Sequence, residues 1–224
     1  MILNIDSTAT LVFDLDDTLY KEIDYLKSAY QEIAKHVNNK NWHATYALMF
    51  ALYREKKNVF EYLSDKFEIN KEELLTLYRG HFPDISLQSD TELLFDQIKA
   101  TGAKITLLTD GRSITQRNKI KALGLEKWID NFFISEELGS EKPAEKNYIA
   151  VENYFKTRTY FYIADNLKKD FIIPNQRGWK TIGLIDNGLN IHVDSASYAH
   201  YDNRPQHFVL HLGELLDKQI NGRA

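Results

Sequence analysis

The stretch at residues 9–20 reads ATLVFDLDDTLY. Its first part, Ala9 to Leu15, is apolar and rich in strand formers, so it predicts a strand. It runs straight into Asp14, Asp16, Asp17 and Thr18. Several acids in five residues behind a buried apolar run are costly unless something cationic is bound. Oxygen donors of this kind suit Mg²⁺. An aspartate can also attack phosphorus and form an aspartyl-phosphate.

Downstream of about Ser89 the chain alternates helices and strands. Helices are expected over Thr91–Ala100, Ile114–Leu123 and Ala144–Phe155, near Phe171, and over Leu212–Gln219 at the end. Strands are expected over Lys104–Thr109, Phe132–Ser135, Tyr160–Ala164, Thr181–Ile185 and His207–His211. Such alternation implies an α/β fold, a Rossmann-like parallel sheet with helices on both faces. Its ligands bind outside the carboxyl ends of the strands.

Those strand ends share a chemistry. Thr109, Asp110 and Gly111 follow one strand, where a hydroxyl and free backbone N–H groups could hold a phosphate oxygen. Glu141, Lys142 and Pro143 follow the next, with Pro143 suited to a first helical turn. Lys142 there would sit where the helix dipole disfavours a cation, which hints at an anionic partner. Asp165, Asn166 and Asp170 follow another apolar strand. Taken singly, each is compatible with an ordinary turn. Taken in order, they form a set.

Between the first strand and this series lies a stretch, residues 20–88, that reads as helical throughout. Leu26, Tyr30, Ile33 and Val37 mark one helix face. Further helices are expected over Ala44–Arg54, Val59–Phe67 and Lys71–Tyr78, the last after the N-cap candidate Asn70. Its charges balance, 10 basic against 10 acidic, and its aromatics are enough for a small core of its own. Two domains are therefore expected: a core from residues 1–19 and 89–224, and an inserted helical domain over 20–88.

Composition narrows the function. The chain has 224 residues and a net charge of −4, without the basic excess of a nucleic-acid-binding surface. Its longest apolar run, Tyr46 to Tyr53, is far too short for a membrane span. It has no cysteine, which excludes thiolate metal sites and cysteine nucleophiles. The start of the chain has no basic n-region, so a cytoplasmic location is expected. The histidines are scattered, and His207 and His211 are expected at the surface. No Gly-x-Ser-x-Gly elbow is present.

The residues FDLDDTLY, LLTDG, SEKP and IADNLKKD, in this order, resemble the four motifs of the haloacid dehalogenase-like (HAD) hydrolase superfamily. The resemblance implies that Asp14 is the nucleophile and Asp16 the general acid and base, its backbone carbonyl also on Mg²⁺. It implies that Thr109 bonds the transferring phosphoryl group and Lys142 holds the phosphate and Asp14. Asp165 would complete the metal site with Asp14 and Asp16, Asp170 would support Asp165 or Lys142, and Thr18 closes the first motif. Two positions depart from the common pattern: Ala164 stands before the fourth-motif acid, and Asp110 stands where Asn is common. The helical stretch occupies the place of a C1-type cap, with hinges at Tyr20–Asp24 and Phe82–Ser89. Its aromatics, among them Tyr25, Trp42, Tyr46 and Phe50, are expected in the cap core rather than on a substrate.

The expected function is a Mg²⁺-dependent phosphatase of a small phosphomonoester, a nucleotide or sugar phosphate. Asp16 argues against dehalogenation, whose leaving halide needs no proton. A phosphomutase of the same fold, or a non-catalytic module binding a phosphorylated metabolite or a protein, are the alternatives. The expected partner is a small phosphorylated metabolite, with neither nucleic acid nor membrane, and the protein is expected as a monomer or homodimer.

Overall fold

The computed structural model describes residues 5–192, 195–200 and 203–216. Six strands form one parallel sheet: β1 (Ala9–Phe13), β2 (Lys104–Thr109), β3 (Asn131–Ile134), β4 (Thr159–Ala164), β5 (Lys180–Leu184) and β6 (His207–Val209). Their order is β3-β2-β1-β4-β5-β6. The order reverses at β1, flanked by β2 and β4, so the crevice beyond its carboxyl end is the favoured ligand position.

Strand residues alternate between two cores. Leu11, Phe13, Ile105, Leu107, Phe161 and Ile163 pack on one face, against Leu94, Phe95 and Ile98 of α5 (Thr91–Ala100) and Ile120 of α6 (Ser113–Ala122). Val12, Leu108, Tyr160 and Tyr162 point to the other, against Tyr148 and Val151 of α8 (Glu145–Phe155), together with Phe171 and Trp179. This period of two is what a strand covered on both faces requires. Short helices α7 (Ser135–Leu138) and α9 (Ile172–Gln176) complete this part.

The segment after β1 builds α1 (Glu22–Val37), α2 (Trp42–Arg54), α3 (Val59–Phe67) and α4 (Lys71–Gly80). Asn58 and Asn70 cap α3 and α4, accepting from the N–H groups of Glu61 and Glu72. These helices share a separate core in which Leu26, Tyr30, Ile33, Met49, Leu63 and Leu74 are buried, with Trp42, Tyr46 and Phe50 packed against it. Tyr25 differs from its expectation: it belongs to the sheet core, and its hydroxyl donates to the Tyr78 carbonyl. The chain leaves and returns at one place, since Gln88 N–H donates to the Leu19 carbonyl and Gln88 Nε2 to that of Thr18.

Several ends shift. β1 stops at Phe13 rather than Leu15, because the Leu15 carbonyl accepts from the N–H groups of Thr18 and Leu19 and starts a turn. Lys142 and Pro143 lie in the loop before α8 rather than in its first turn, so the dipole argument for Lys142 falls away. The sixth strand is shorter than expected, ending at Val209. The final helix reduces to a 3₁₀ turn, Leu212–Leu215, with Leu216 extended. Gly213 inside it disfavours a helix and lets the backbone close on Asp90, whose Oδ2 a Cβ would clash with. The remainder of that expected helix, residues 217–219, lies outside the described residues. Among the described residues no helix is long and apolar enough to cross a membrane.

Candidate active site

The acids of the first motif are placed by a tight turn. Asp14 N–H donates to the Ile163 carbonyl, which pins the end of β1 to β4 and leaves the side chain at the crevice. Asp17 adopts a left-handed backbone (φ 57°), a conformation that Asp tolerates better than most residues. Its carboxylate accepts from the N–H groups of Glu22 and Ile191, tying the start of α1 and the loop after β5 to the same turn. Asp17 thus braces the turn, and with Asp14, Asp16, Asp110, Lys142 and Asp165 it lines a cavity of about 290 Å³. A larger cleft of about 570 Å³ lies beside α1 and residues 81–86. It shares no lining residue with the acid cluster, and the chemistry argues for the smaller cavity.

Lys142 is the cation at the centre. Its Nζ lies 2.8 Å from Asp14 Oδ1 and 2.8 Å from Asp170 Oδ1, with the side chain fully buried. Asp170 is satisfied by protein: Oδ1 also accepts from the Tyr162 hydroxyl, and Oδ2 from the Asn166 N–H. Of the two expected roles for Asp170, the contact is with Lys142. Burial by itself would lower the Lys142 pKa, but the charges of Asp14, Asp170 and Asp110 raise it well above the usual range.

Asp14, Asp165 and Asp170 bring carboxylate oxygens within 4.8 Å of one another. Burial pushes Asp14 up to about 6, against the pull of Lys142. Asp165 is driven well above its usual range by burial and by the charges of Asp14 and Asp170. Lys142 and, less strongly, Lys169 oppose the upward shift at Asp14. An all-oxygen, acidic donor set is the kind that a hard divalent cation takes. Asp170 gives one oxygen to the Lys142 ammonium, whereas Asp165 meets only neutral donors. Asp165 accepts from Asn190 Nδ2 at 2.9 Å, and the Thr18 hydroxyl stands at the long distance of 3.5 Å.

Asp16 has different neighbours. Lys119 Nζ lies 2.7 Å from its Oδ1, the Tyr20 hydroxyl donates to the same oxygen, and Gln116 Nε2 lies 2.9 Å from Oδ2. Burial would raise the Asp16 pKa, but Lys119 and these hydrogen bonds hold it below the usual carboxylate range. Glu22, beside it at the start of α1, is pushed up to about 8 by burial and by the Asp16 charge.

The second-motif residues fall into place only in part. Thr109 is buried, and its hydroxyl accepts from Gln116 Nε2 at 2.7 Å. Gly111 differs from expectation. Its N–H is not free for a phosphate, because it donates to Ser135 Oγ at 2.9 Å. Its φ of 139° with the Gln116 side chain packed against it explains why glycine stands here. The Asp110 carboxylate braces the site from the protein side. Oδ1 accepts from the Lys142 N–H and Oδ2 from Lys169 Nζ. An acid in place of the common Asn is thus neutralised by Lys169. Arg112 is exposed, stands 3.6 Å from Glu136 and does not line the cavity.

Sequence reasoning missed Gln116, Lys119, Tyr20, Lys169 and Asn190. A signal for two of them existed. Residues 116, 119 and 120 form the buried face of α6, and two of the three are Gln and Lys where apolar residues belong.

A parallel α/β sheet with acids at the carboxyl ends of β1 and β4, a buried lysine after β3 and a helical insertion after β1 defines the class. The chain belongs to the haloacid dehalogenase-like hydrolase family, whose profile matches residues 11–184. Among proteins of known activity, it is 25% identical over 207 residues to the glyceraldehyde 3-phosphate phosphatase of Methanocaldococcus jannaschii, covering 85% of this chain and 90% of that one. It is 25% identical over 142 residues to the ribulose-1,5-bisphosphate 5-phosphatase of Halopiger xanaduensis, covering 62% and 59%. Among solved structures, Bacillus subtilis YfnB, described as a HAD-hydrolase bound to magnesium, superposes with a TM-score of 0.66 at 17% identity. That match covers 92% of this chain and 96% of YfnB.

Proposed function

We propose that the protein is a Mg²⁺-dependent phosphatase of a small phosphomonoester, working through an aspartyl-phosphate on Asp14. The observation that carries this reading is the placement of Asp14 against Lys142 at 2.8 Å, with Asp16 lining the same cavity. A carboxylate attacks a phosphate dianion only if fixed positive charge offsets the repulsion. Lys142 supplies part of it. Asp14, Asp165 and the Asp16 carbonyl would hold Mg²⁺, which when bound would neutralise phosphate charge. The magnesium in YfnB supports this choice of ion.

In the first step an Asp14 oxygen bonds to phosphorus and the bond to the leaving oxygen breaks. That oxygen keeps the electron pair and takes the proton of the Asp16 carboxyl. The approaching phosphate dianion is what favours a proton on Asp16, since like charge disfavours its ionised form. Water then attacks phosphorus and returns a proton to Asp16, and inorganic phosphate leaves with the Asp14 carboxylate restored. Thr109, its acceptor site taken by Gln116, has its hydroxyl proton to donate to the phosphoryl group. The related phosphatases act on glyceraldehyde 3-phosphate and ribulose 1,5-bisphosphate, which favours a sugar phosphate over a nucleotide.

Residues 20–88 are the cap of this reading, closing over the cavity and excluding water. The separate core of α1–α4 and the adjacent crossings at Leu19 and Gln88 support it. In this reading the enzyme is cytoplasmic and a monomer or homodimer. The test is phosphate release from an aryl phosphate and a panel of sugar and nucleotide phosphates, with and without Mg²⁺. Turnover that needs both Mg²⁺ and Asp14 is expected. Release that survives Asp14→Asn would remove Asp14 as nucleophile.

A further inference from the structure

The Asp16 carboxylate is gripped by side chains whose placement depends on tertiary structure. Lys119 reaches it from α6 at 2.7 Å, with only 4% of the lysine side chain exposed. Gln116, one turn earlier on the same face, reaches the other oxygen at 2.9 Å. Tyr20 donates to the oxygen that Lys119 contacts. The Lys119 ammonium also sits 4.6 Å from the centre of the Tyr25 ring, on α1. Packing of α6 does not need an ammonium here, since the neighbouring buried position is filled by Ile120. A buried lysine costs desolvation that only a well-placed acid offsets. Apart from Asp16, the nearest acid is Glu22 at 4.0 Å.

We propose that Lys119 is a positioning residue for the reaction: with Tyr20, it fixes the Asp16 carboxyl in the orientation that serves the leaving oxygen. The inference rests on the phosphatase reading above. Its physical basis is repulsion. Asp16 shares its cavity with Asp14, and a bound phosphate dianion adds further negative charge. Without a cation behind it, Asp16 turns away from the anion. Lys119, which does not itself line the cavity, holds it from behind, and Tyr25 places that cation in contact with the helical insert.

The consequence is selective. When the P–O bond breaks, the leaving oxygen takes the electron pair and the Asp16 proton. A weakly basic nitrophenolate leaves without much help, whereas an alkoxide does not. Lys119→Met, compared on p-nitrophenyl phosphate and a primary alkyl phosphate, is the experiment. kcat/KM on the alkyl ester is expected to fall about 10²-fold, and on the nitrophenyl ester less than about tenfold. Tyr20→Phe is expected to shift the same ratio in the same direction by less. In an Asp16→Asn background, Lys119→Met should cost nothing further.

An equal fall on both esters, no fall on either, or an undiminished loss in the Asp16→Asn background would overturn the proposal. If Lys119→Met does not fold, Lys119→Gln and Tyr20→Phe are judged by the same ratio. The native protein is the control that separates the two readings. If it releases phosphate, the ratio decides the role of Lys119; if it releases none from any ester, the phosphatase reading fails and this inference with it.

Discussion

Lys142 Nζ stands 2.8 Å from Asp14 Oδ1, and the lysine side chain is wholly shielded from water. The same ammonium meets Asp170 at 2.8 Å. Lys142→Met would leave two buried acids facing each other without their cation. Breaking a buried pair in this way costs about 3–5 kcal/mol. Turnover is expected to fall by roughly 10³-fold, the scale of a lost transition-state charge partner. A thermal melt and an initial-rate assay on the variant check both parts.

Asp110 bridges two lysines of different kinds, the backbone of Lys142 and the ammonium of Lys169. Asp110→Asn keeps an acceptor for the Lys142 N–H and loses only the charge for Lys169. Asp110→Ala leaves both unsatisfied and is expected to cost more, about 1–3 kcal/mol. A double-mutant cycle with Lys169→Met should give a coupling energy of about 0.5–3 kcal/mol, read from urea unfolding. Additive effects would mean that the ion pair does not compensate the acid.

Removal of divalent metal is expected to abolish phosphate release, and Mg²⁺ to restore it. Binding to the folded state alone also stabilises that state, by about 2.7 kcal/mol at a hundredfold excess over Kd. Asp165→Asn should lose the Mg²⁺-dependent rise in melting temperature while the metal-free melt remains cooperative. A rise of the same size in the variant would exclude Asp165 as a ligand.

Glu152 on α8 accepts from Arg177 and from Trp179 Nε1, fastening α8 to the turn before β5. The Arg177 hydrogen bond leads in lowering its pKa from 4.5. A carboxyl depressed in the folded state contributes stability above its unfolded value and loses it as pH falls through the depressed one. The contribution is therefore present above about pH 4.5 and disappears below it. Glu152→Gln is expected to be less stable by about 1 kcal/mol at pH 7. Its acid limb should also be flatter, as measured by denaturant midpoints across pH. An acid limb parallel to that of the native protein would assign the acid sensitivity elsewhere.

The residues that were legible in the sequence share a local logic. Asp14 and Asp165 follow apolar runs that can only be strands of a covered sheet, and an acid there must face the crevice. Glu22 to Val37 showed its helical face because Leu26, Tyr30 and Ile33 recur at the helical period, and all three are buried. Where one residue was asked to stand for its neighbourhood, the reading failed. Gly111 offered an N–H in sequence, but Ser135, 24 positions on, takes it. Tyr25 sits on the insert but packs with the sheet core, because α1 buries two faces against two different cores.

By itself, the amino-acid order determined the parallel α/β architecture, the helical insertion and the succession of acids and lysine along the strand ends. Apolar periodicity and turn chemistry act over a few residues, and those residues are adjacent in the chain. Which charges meet depends on the packing of segments far apart in the chain. Lys119 lies 103 positions from Asp16, and Lys169 lies 59 from Asp110. A polar residue on a helix reads the same whether it faces water or a buried carboxylate. What separates the two cases is the desolvation around it, and that exists only once distant segments have packed together.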